Sequence, residues 1–488
     1  MIKNKIKYIS CGLILSVLFS LSACDDYLDQ KPLDGLVRSE YWNTKEEVLA
    51  TLAGAYKMFT AMDYNLLVYG ELRGDMLIPG VDLPGAQRNI MQSAIQSNNA
   101  FASWEGFYSV INFCNHVIDI APSVQERDPT FSPFLMQQYV SEATFLRSLA
   151  YFYLVRIWND VPLVLEPTET DNAQLFLPLT PANEVLERIK ADLIDIRLQI
   201  PSVYPDNEDT RSRATAGAVN ALLTDICLWM FDYEESIQYA DAVINSGNYF
   251  LLPSTEWFNI FQPGASLESI FELYFNEQIG QSNDLYVQTL VLDYFRASEY
   301  AQDILGVETT GAAEQVRGNG SLSSNNRIWK YGGFFPDRRT QRPINAQSSA
   351  NFIIYRLADI YLMKAEALSQ LERYDEALFY IQMIRERATV PPLNIPFTRQ
   401  DFEQTILEER AKELAYEGKR WFDLMRMGRR NNFENRDKLI EILVANIPST
   451  QRLVMQAKLS NPLGWFMPIH NREIENNRNI TQNPYYHD

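Results

Sequence analysis

The chain has 488 residues and a formal net charge of −19, from 62 acidic against 43 basic side chains. A body this acidic does not hold nucleic acid by neutralising phosphates, nor an anionic membrane face by charge. The length allows two to four domains or one long array, and the acidity favours solubility in an exposed compartment.

The first residues carry an address. Lys3, Lys5 and Lys7 precede an apolar run from Ile9 to Leu21, shorter than the about 20 residues that span a bilayer. This is the layout of a cleaved secretory signal. Leu21-Ser22-Ala23-Cys24 resembles the lipobox of bacterial lipoproteins, which implies acylation of Cys24 and an anchor in the outer membrane. Two or more acyl chains hold a protein stably where one does not. Removing residues 1–23 takes away three lysines and no acid, so the remainder is more acidic still. Of four cysteines, Cys11 leaves with the signal and Cys24 goes to the lipid. Cys114 and Cys227 lie in apolar helical patterns, which predicts buried free thiols rather than a disulfide. No later apolar run reaches membrane-spanning length.

Residues 24–45 read as a tether, broken by Pro32 and Gly35. Thr44 with Glu46 and Glu47 opens a helix to about Met62, with Val48, Leu52, Ala55 and Phe59 on one face. Residues 70–100 lose periodicity among Gly74, Pro79, Gly80, Pro84 and Gly85 and read as a long loop. Helices are predicted over 104–120, 134–158 and 183–200. Tyr233-Glu-Glu-Ser-Ile-Gln-Tyr239 lies over Tyr374-Asp-Glu-Ala-Leu-Phe-Tyr380, each after a helix rich in small residues, Ala218–Met230 and Leu357–Leu371. This internal repeat resembles tetratricopeptide helix pairs, with Ala365 and Ala377 allowing close approach and Tyr374 filling the turn. Residues 250–352 are rich in Gly, Pro, Ser and Asn, with short strands expected at Ser269–Phe275 and Ile328–Tyr331. Helix resumes over 353–370 and 374–388, then over 402–417 and 419–430. The expected organisation is a scaffold over 46–249 that includes the loop, a loop-rich subdomain over 250–352, and C-terminal helical repeats with a tail over 353–488. The fold class is mostly α: a tetratricopeptide-like scaffold of helical pairs with a loop-rich, minor-β ligand-binding subdomain.

The densest charge lies in Glu409-Arg410-Ala-Lys-Glu413-Leu-Ala-Tyr-Glu417-Gly418-Lys-Arg420-Trp421-Phe-Asp423-Leu424-Met-Arg426. Three glutamates four apart share a helix face and repel, so cations must stand nearby, with Arg410, Arg420 and Arg426 as candidates. A glycosidase needs two carboxylates about 5–9.5 Å apart. Consecutive helical turns allow that spacing, but nothing marks a proton donor, and an ion-pair network is the expectation. This segment is similar to the C-terminal signature of the RagB/SusD family of nutrient-binding outer-membrane lipoproteins. Three further stretches also resemble the family: Tyr355-Arg356-Leu-Ala-Asp359-Ile-Tyr361-Leu-Met-Lys-Ala365-Glu366-Ala367, Ser141-Glu142 to Arg156 with Val161-Pro162-Leu163, and the ending Pro468 to Tyr485. The start at Cys24-Asp-Asp-Tyr-Leu28 is similar to the family's mature start. The resemblance implies a surface lipoprotein without enzymatic activity that binds an oligosaccharide, or in some members a peptide. It also implies a partner, a SusC-type TonB-dependent transporter in the outer membrane.

Other chemistry is sparse. His116, His470 and His487 stand far apart, with no metal spacing and no nucleophile–base pair. No glycine-rich phosphate loop precedes a helix, and no cofactor is expected. Sugar rings call for aromatic platforms beside short polar groups. Trp104, Trp158, Trp257 and Trp421 fall in helical or framework patterns and read as core. The candidate ligand residues are Arg73, Asp75, Asp82, Arg88 and Asn98 in the early loop, and Trp329 and Tyr331 in the loop-rich segment beside Phe334 and Phe335. Asp75 reads equally well as a brace for its loop, and a buried strand at Lys330-Tyr331 leaves only Trp329 facing out.

Overall fold

The computed structural model describes residues 42–168, 176–306 apart from 277 and 279, 317, 321–323, 325–332, 348–394, 398–445 and 447–486. Cys24, with the signal and most of the tether, lies outside these residues, as do Phe334, Phe335 and His487.

Helix α1 (Lys45–Thr60) begins where the Glu47 carboxylate accepts the N–H groups of Asn43 and Thr44 at 2.6 and 2.9 Å. Its buried stripe is the expected one, Val48, Leu52, Ala55 and Phe59. After it comes α2 (Asp63–Glu71), and the stretch expected as a long loop over 70–100 holds regular structure, β1 (Leu77–Pro79) and α3 (Gly85–Met91). Residues Leu66 to Glu71 of α2 are all buried, and a helix covered on every side has no polar stripe to detect. Then come α4 (Glu105–Arg127), which runs on through Pro122, and α5 (Pro133–Trp158), buried from Ser141 to Trp158. They are followed by α6 (Ala182–Ile196), α7 (Ala216–Met230) and α8 (Tyr233–Ile244).

The middle of the chain supplies β2 (Ser269–Leu273), β3 (Phe295–Ala297) and α9 (Glu299–Gly306). The C-terminal part adds β4 (Phe352–Arg356), α10 (Leu357–Gln370), α11 (Tyr374–Arg387), α12 (Arg399–Glu413), α13 (Arg420–Phe433), α14 (Arg436–Ala445) and α15 (Ser449–Leu459). Two antiparallel pairs form, β1 with β3 and β2 with β4. Residues 353–356, expected to start a helix, are strand. All five side chains of β4 are buried, so the run shows no alternation and reads ambiguously. Ile328 makes only an isolated bridge to Leu322 in place of the expected strand. Among the described residues no helix is long and apolar enough to cross a membrane.

The helices pack in sequence as an array: α4 on α5, α5 on α6, α7 on α8, α8 on α10 and α10 on α11. The internal repeat is visible in its backbone. Phe231 and Glu372 both take positive φ, 68° and 60°. The next residue donates back to the same place in each unit, Asp232 to Cys227 O at 2.8 Å and Arg373 to Leu368 O at 2.9 Å. These are equivalent helix ends of the Schellman type. Ala365 and Ala377 are fully buried between the helices, and the Tyr374 ring meets Phe402 at 4.9 Å. Trp104, Trp158, Trp257 and Trp421 are buried, and Cys114 and Cys227 are buried free thiols.

A charged core joins this array to the loop-rich segment. Arg356 is fully buried. Its Nη1 meets Glu268 and Glu413 at 2.7 and 2.6 Å, its Nη2 meets Glu413 O and Glu417 at 2.7 and 2.8 Å, and its Nε meets Glu417 at 2.9 Å. All five guanidinium donors are thereby used. Lys330 reaches Glu417 at 2.8 Å, Arg387 holds Glu268 and Glu413, and Arg317 and Arg385 hold Glu409. Burial alone raises Glu413, but Arg387, Arg356 and Arg317 hold it well below the usual carboxylate range.

Two details differ from expectation. Helix α12 ends at Glu413, so Glu417 lies beyond it. The cations come from elsewhere, because Arg410 pairs with Asp359 and Asp423, Arg420 with Asp75, and Arg426 with Glu366 and Asp423. Glycine permits a tight crossing here. A Cβ on Gly70 would stand 1.8 Å from the carbonyl oxygen of Gly418, whose own φ is +72°.

Arg356→Ala takes the shared cation from three buried carboxylates, leaving them to Arg387, Arg317 and Lys330, and is expected to destabilise the protein by about 3–5 kcal/mol in urea denaturation. Arg373→Ala removes the exposed pair with Glu376 and is expected to cost less than about 1 kcal/mol.

A pH profile follows from two opposed sets. Burial works against ionisation of Asp359 and Glu366, but Lys419 and Arg410 around the first and Arg426 and Arg430 around the second hold both carboxyls at about 2. Their contribution is present above the ordinary carboxylate pKa and is lost as pH falls towards 2. Burial raises Asp63 to about 7 and Glu71 to about 8. Their contribution has the opposite sign and is lost as pH rises through those values. Thermal melting against pH is expected to peak between these windows. Asp63→Asn is expected to flatten the alkaline limb while leaving the acid limb in place.

Candidate ligand-binding face

The early segment and the middle segment meet along β1 and β3, with Ile78 opposite Arg296 and Pro79 opposite Phe295. Gly80 continues the pairing, donating to Tyr294 O at 2.8 Å. A Cβ there would lie 1.8 Å from the Asp293 carbonyl oxygen, so only glycine lets the two backbones close up. The turn leaves Asp293 with φ +51° and directs its carboxylate to two guanidinium groups. Arg296 meets it at 2.5 Å and Arg327 at 3.3 Å, and Arg327 also donates to Leu290 O at 3.0 Å. The Arg296 side chain stays 37% exposed. The Asp293 hydrogen bond holds it above the ordinary guanidinium range.

Aromatic surface lies beside these cations. Tyr294 is half-buried. Tyr64, on α2, is also half-buried, packs against Phe101 and Phe295 at 6.1 and 6.4 Å, and accepts a hydrogen bond from Gln87 at 3.0 Å. Burial pushes the Tyr64 hydroxyl up to about 12, so it acts as a neutral donor and acceptor. Val81, Leu292 and Ile78 are exposed around the strand pair, at 67, 40 and 38%. Half-buried rings next to fixed guanidinium and amide groups form the mixed surface that binds sugars or other polar rings.

The candidate residues divide between the surface and the interior. Arg88 is exposed on α3 and donates to Leu83 O at 3.1 Å. Asn98 is exposed beside Asn99, whose amide ties the segment to Ala86 O at 3.0 Å, and Asp82 is exposed between β1 and α3. The other four are corrected to bracing or core positions. Arg73 is buried over the Trp421 ring at 4.5 Å and donates to the carbonyls of Gly464 and Trp465. Asp75 is buried in a two-point pair with Arg420 at 2.7 and 2.8 Å. Tyr331 is fully buried, stacked on Phe352 and donating to Tyr416 O at 3.0 Å. Trp329 is buried at 8% exposure with Tyr286 and Leu290. A polar group in a glycine-rich stretch reads as solvent-facing, yet the partners of Arg73 and Asp75 lie more than 340 residues away.

Sequence reasoning missed Tyr64, Tyr294, Arg296 and Arg327. A strand of three residues carries no pattern, and Tyr64 lies on α2 in a stretch where the sequence suggests no element. Among the described residues no group of His, Cys, Asp or Glu is arranged to hold a metal ion. His116 stacks on Trp42 at 5.3 Å, and His470 caps a short C-terminal helix.

Known proteins resemble the chain along almost its whole length. A family model described as the SusD family matches residues 229–486, and one described as starch-binding associating with outer membrane matches residues 26–228. The chain is 26% identical to SusD-like protein P38 of Formosa agariphila over 475 residues, covering 87% of this chain and 92% of the relative. It is 24% identical to a SusD-like protein of Bacteroides ovatus, covering 84 and 81%. A SusD superfamily structure from Bacteroides vulgatus superposes with a TM-score of 0.75 at 20% identity, covering 91% of this chain and all of that one. A structure titled as a laminarin binding SusD-like protein gives 0.71 at 20% identity, covering 91 and 100%. With more than half of its length inside the first family model and the same fold in the solved neighbours, the chain belongs to the SusD/RagB family.

Proposed function

We propose that this protein is a surface lipoprotein of the outer membrane that captures an oligosaccharide and passes it to a partner TonB-dependent transporter. The observation that carries the binding step is the face built on β1 and β3. There Tyr64 and Tyr294 offer rings for the apolar side of a sugar, while Arg296 and Arg327 offer donors for its hydroxyls. The family models support it through a description that names starch binding and the outer membrane, and one solved neighbour is titled as binding laminarin. The Leu-Ser-Ala-Cys24 sequence supplies the anchor. A tethered binder cannot move its ligand across the membrane and needs a pore beneath it.

A glycosidase reading has no support in the glutamate cluster. Glu409, Glu413 and Glu417 are 1–2% exposed and held by arginine and lysine. A carboxylate so enclosed does not reach a substrate.

Titration calorimetry with laminarin, starch and peptide pools tests the reading. Tyr294→Ala is expected to weaken the preferred glycan about tenfold or more, equal to about 1.4 kcal/mol, with an unchanged melting temperature. Binding of peptide alone, or glycan binding indifferent to both Tyr294→Ala and Arg296→Ala, overturns it. Trp329→Ala acts differently, because the ring is core: a stability loss of about 3–5 kcal/mol is expected in denaturant titration. Cys24→Ala is expected to release the protein from the membrane fraction.

A further inference from the structure

The cations of the face on β1 and β3 are not matched one for one. Arg296 and Arg327 form an isolated antiparallel bridge, which sets their side chains directly opposite, with Cβ atoms roughly 4.5–5.5 Å apart. Like charges so placed repel and cost stability unless an acid stands between them. Here one acid answers both. Asp293 Oδ2 accepts from Arg296 at 2.5 Å and from Arg327 at 3.3 Å. No other acid pairs with either guanidinium among the described residues. Asp82, exposed in the turn after β1, pairs with neither.

The charge left over faces outward. The Asp293 side chain is 8% exposed, against 37% for Arg296 and 28% for Arg327. The carboxylate thus lies deeper than its two cations, and one positive charge remains uncompensated at the surface. Donors are left over as well. Arg296 spends Nε and Nη2 on Asp293, and its Nη1 makes no hydrogen bond among the described residues. Arg327 gives Nη1 to Leu290 O and Nη2 to Asp293, and its Nε is buried without a partner.

An aromatic ring shares this side of the strand. Phe295 and Ala297 of β3 are buried while Arg296 is half-buried. Tyr294 stands two residues before Arg296, so in extended chain the ring and the guanidinium point the same way. A neutral sugar accepts hydrogen bonds from these groups but leaves the net charge unanswered. A sugar bearing a carboxylate or a sulfate half-ester answers it, takes guanidinium donors in pairs and lays its apolar C–H face on the Tyr294 ring.

We propose that the glycan taken at this face is anionic, with a carboxylate or sulfate half-ester seated on the Arg296–Arg327 pair. This rests on the reading of the face as a glycan site, and the test separates the two. Titration calorimetry of the whole mature chain compares tri-galacturonate with its methyl ester, and a sulfated carrageenan tetrasaccharide with its desulfated form. At least one charged probe is expected to bind saturably, about tenfold or more tighter than its neutral form, which tells carboxylate from sulfate. Added salt is expected to narrow that ratio. Arg296→Gln is expected to bring it near one with an unchanged melting temperature. Lys57→Gln, which removes an exposed cation of α1, is expected to leave it in place. Equal affinity for charged and neutral forms overturns the proposal and leaves glycan capture standing, as does a preference that survives Arg296→Gln. Absence of saturable binding by both charged probes at millimolar concentration overturns it as well, whatever laminarin and starch do.

Discussion

The fold depends on the burial of Arg356. It is the last residue of β4 and the residue that starts α10, so one side chain stands at the junction of sheet and array. Its guanidinium is met on every edge by Glu268, Glu413, Glu417 and the Glu413 carbonyl oxygen. Taking these charges out of water is expensive, and a well-packed apolar cluster of the same volume is often as stable. What the network supplies is intolerance of alternatives. A one-residue slip of β4 against β2 points the guanidinium to the other side of the strand and takes from three carboxylates the cation they share. Lys330 extends the same constraint to the loop-rich segment by meeting Glu417. A region poor in regular structure is thereby held to a helical frame by charge geometry rather than by a broad hydrophobic face.

The ligand-binding face inherits its rigidity from similar pairs. Asp75 closes on Arg420, and Arg73 closes on Trp421 and the carbonyls of Gly464 and Trp465. Both pin the start of the early segment to α13 and the C-terminal tail. Two residues on from Asp75, β1 meets β3, and the exposed groups of both strands follow from that register. A binding surface carried on short strands and turns is ordinarily mobile. Here the backbone below it is anchored by buried ions, so less ordering remains to be done when a ligand arrives.

These anchors also explain what was legible in the sequence. Helices with one wet side, such as α1 and α6, announced their buried stripes. Elements with little contrast between faces did not: α2 suggested no element, and β4 read as the start of a helix. The glutamates at 409, 413 and 417 were rightly read as an ion-pair network. Their cations were not found, because Arg356, Arg387 and Lys330 approach from other elements and the local arginines serve other acids. The same distance in sequence turned Arg73 and Asp75 into apparent ligand groups. Tyr294 and Arg296 went unseen because their roles depend on Gly80 fitting against Asp293, a close approach that no local pattern encodes. The tryptophans were assigned correctly to the core where helical periodicity framed them, and Trp329 was misplaced where nothing did.

The distribution of cations follows from the same frame. Arg356, Arg387, Arg410, Arg420, Arg426 and Arg430 are all buried and matched by acids. An acidic chain that spends these arginines on its interior leaves a surface on which negative charge dominates. Such a surface repels acidic solutes at long range except where exposed cations gather. An exposed basic side chain beside an aromatic ring is therefore a more specific feature here than on a neutral protein. Arg296 beside Tyr294 is one such place. Arg296 and Arg327 share the single carboxylate of Asp293, so that cluster keeps a net positive charge while its geometry is fixed by the pairing.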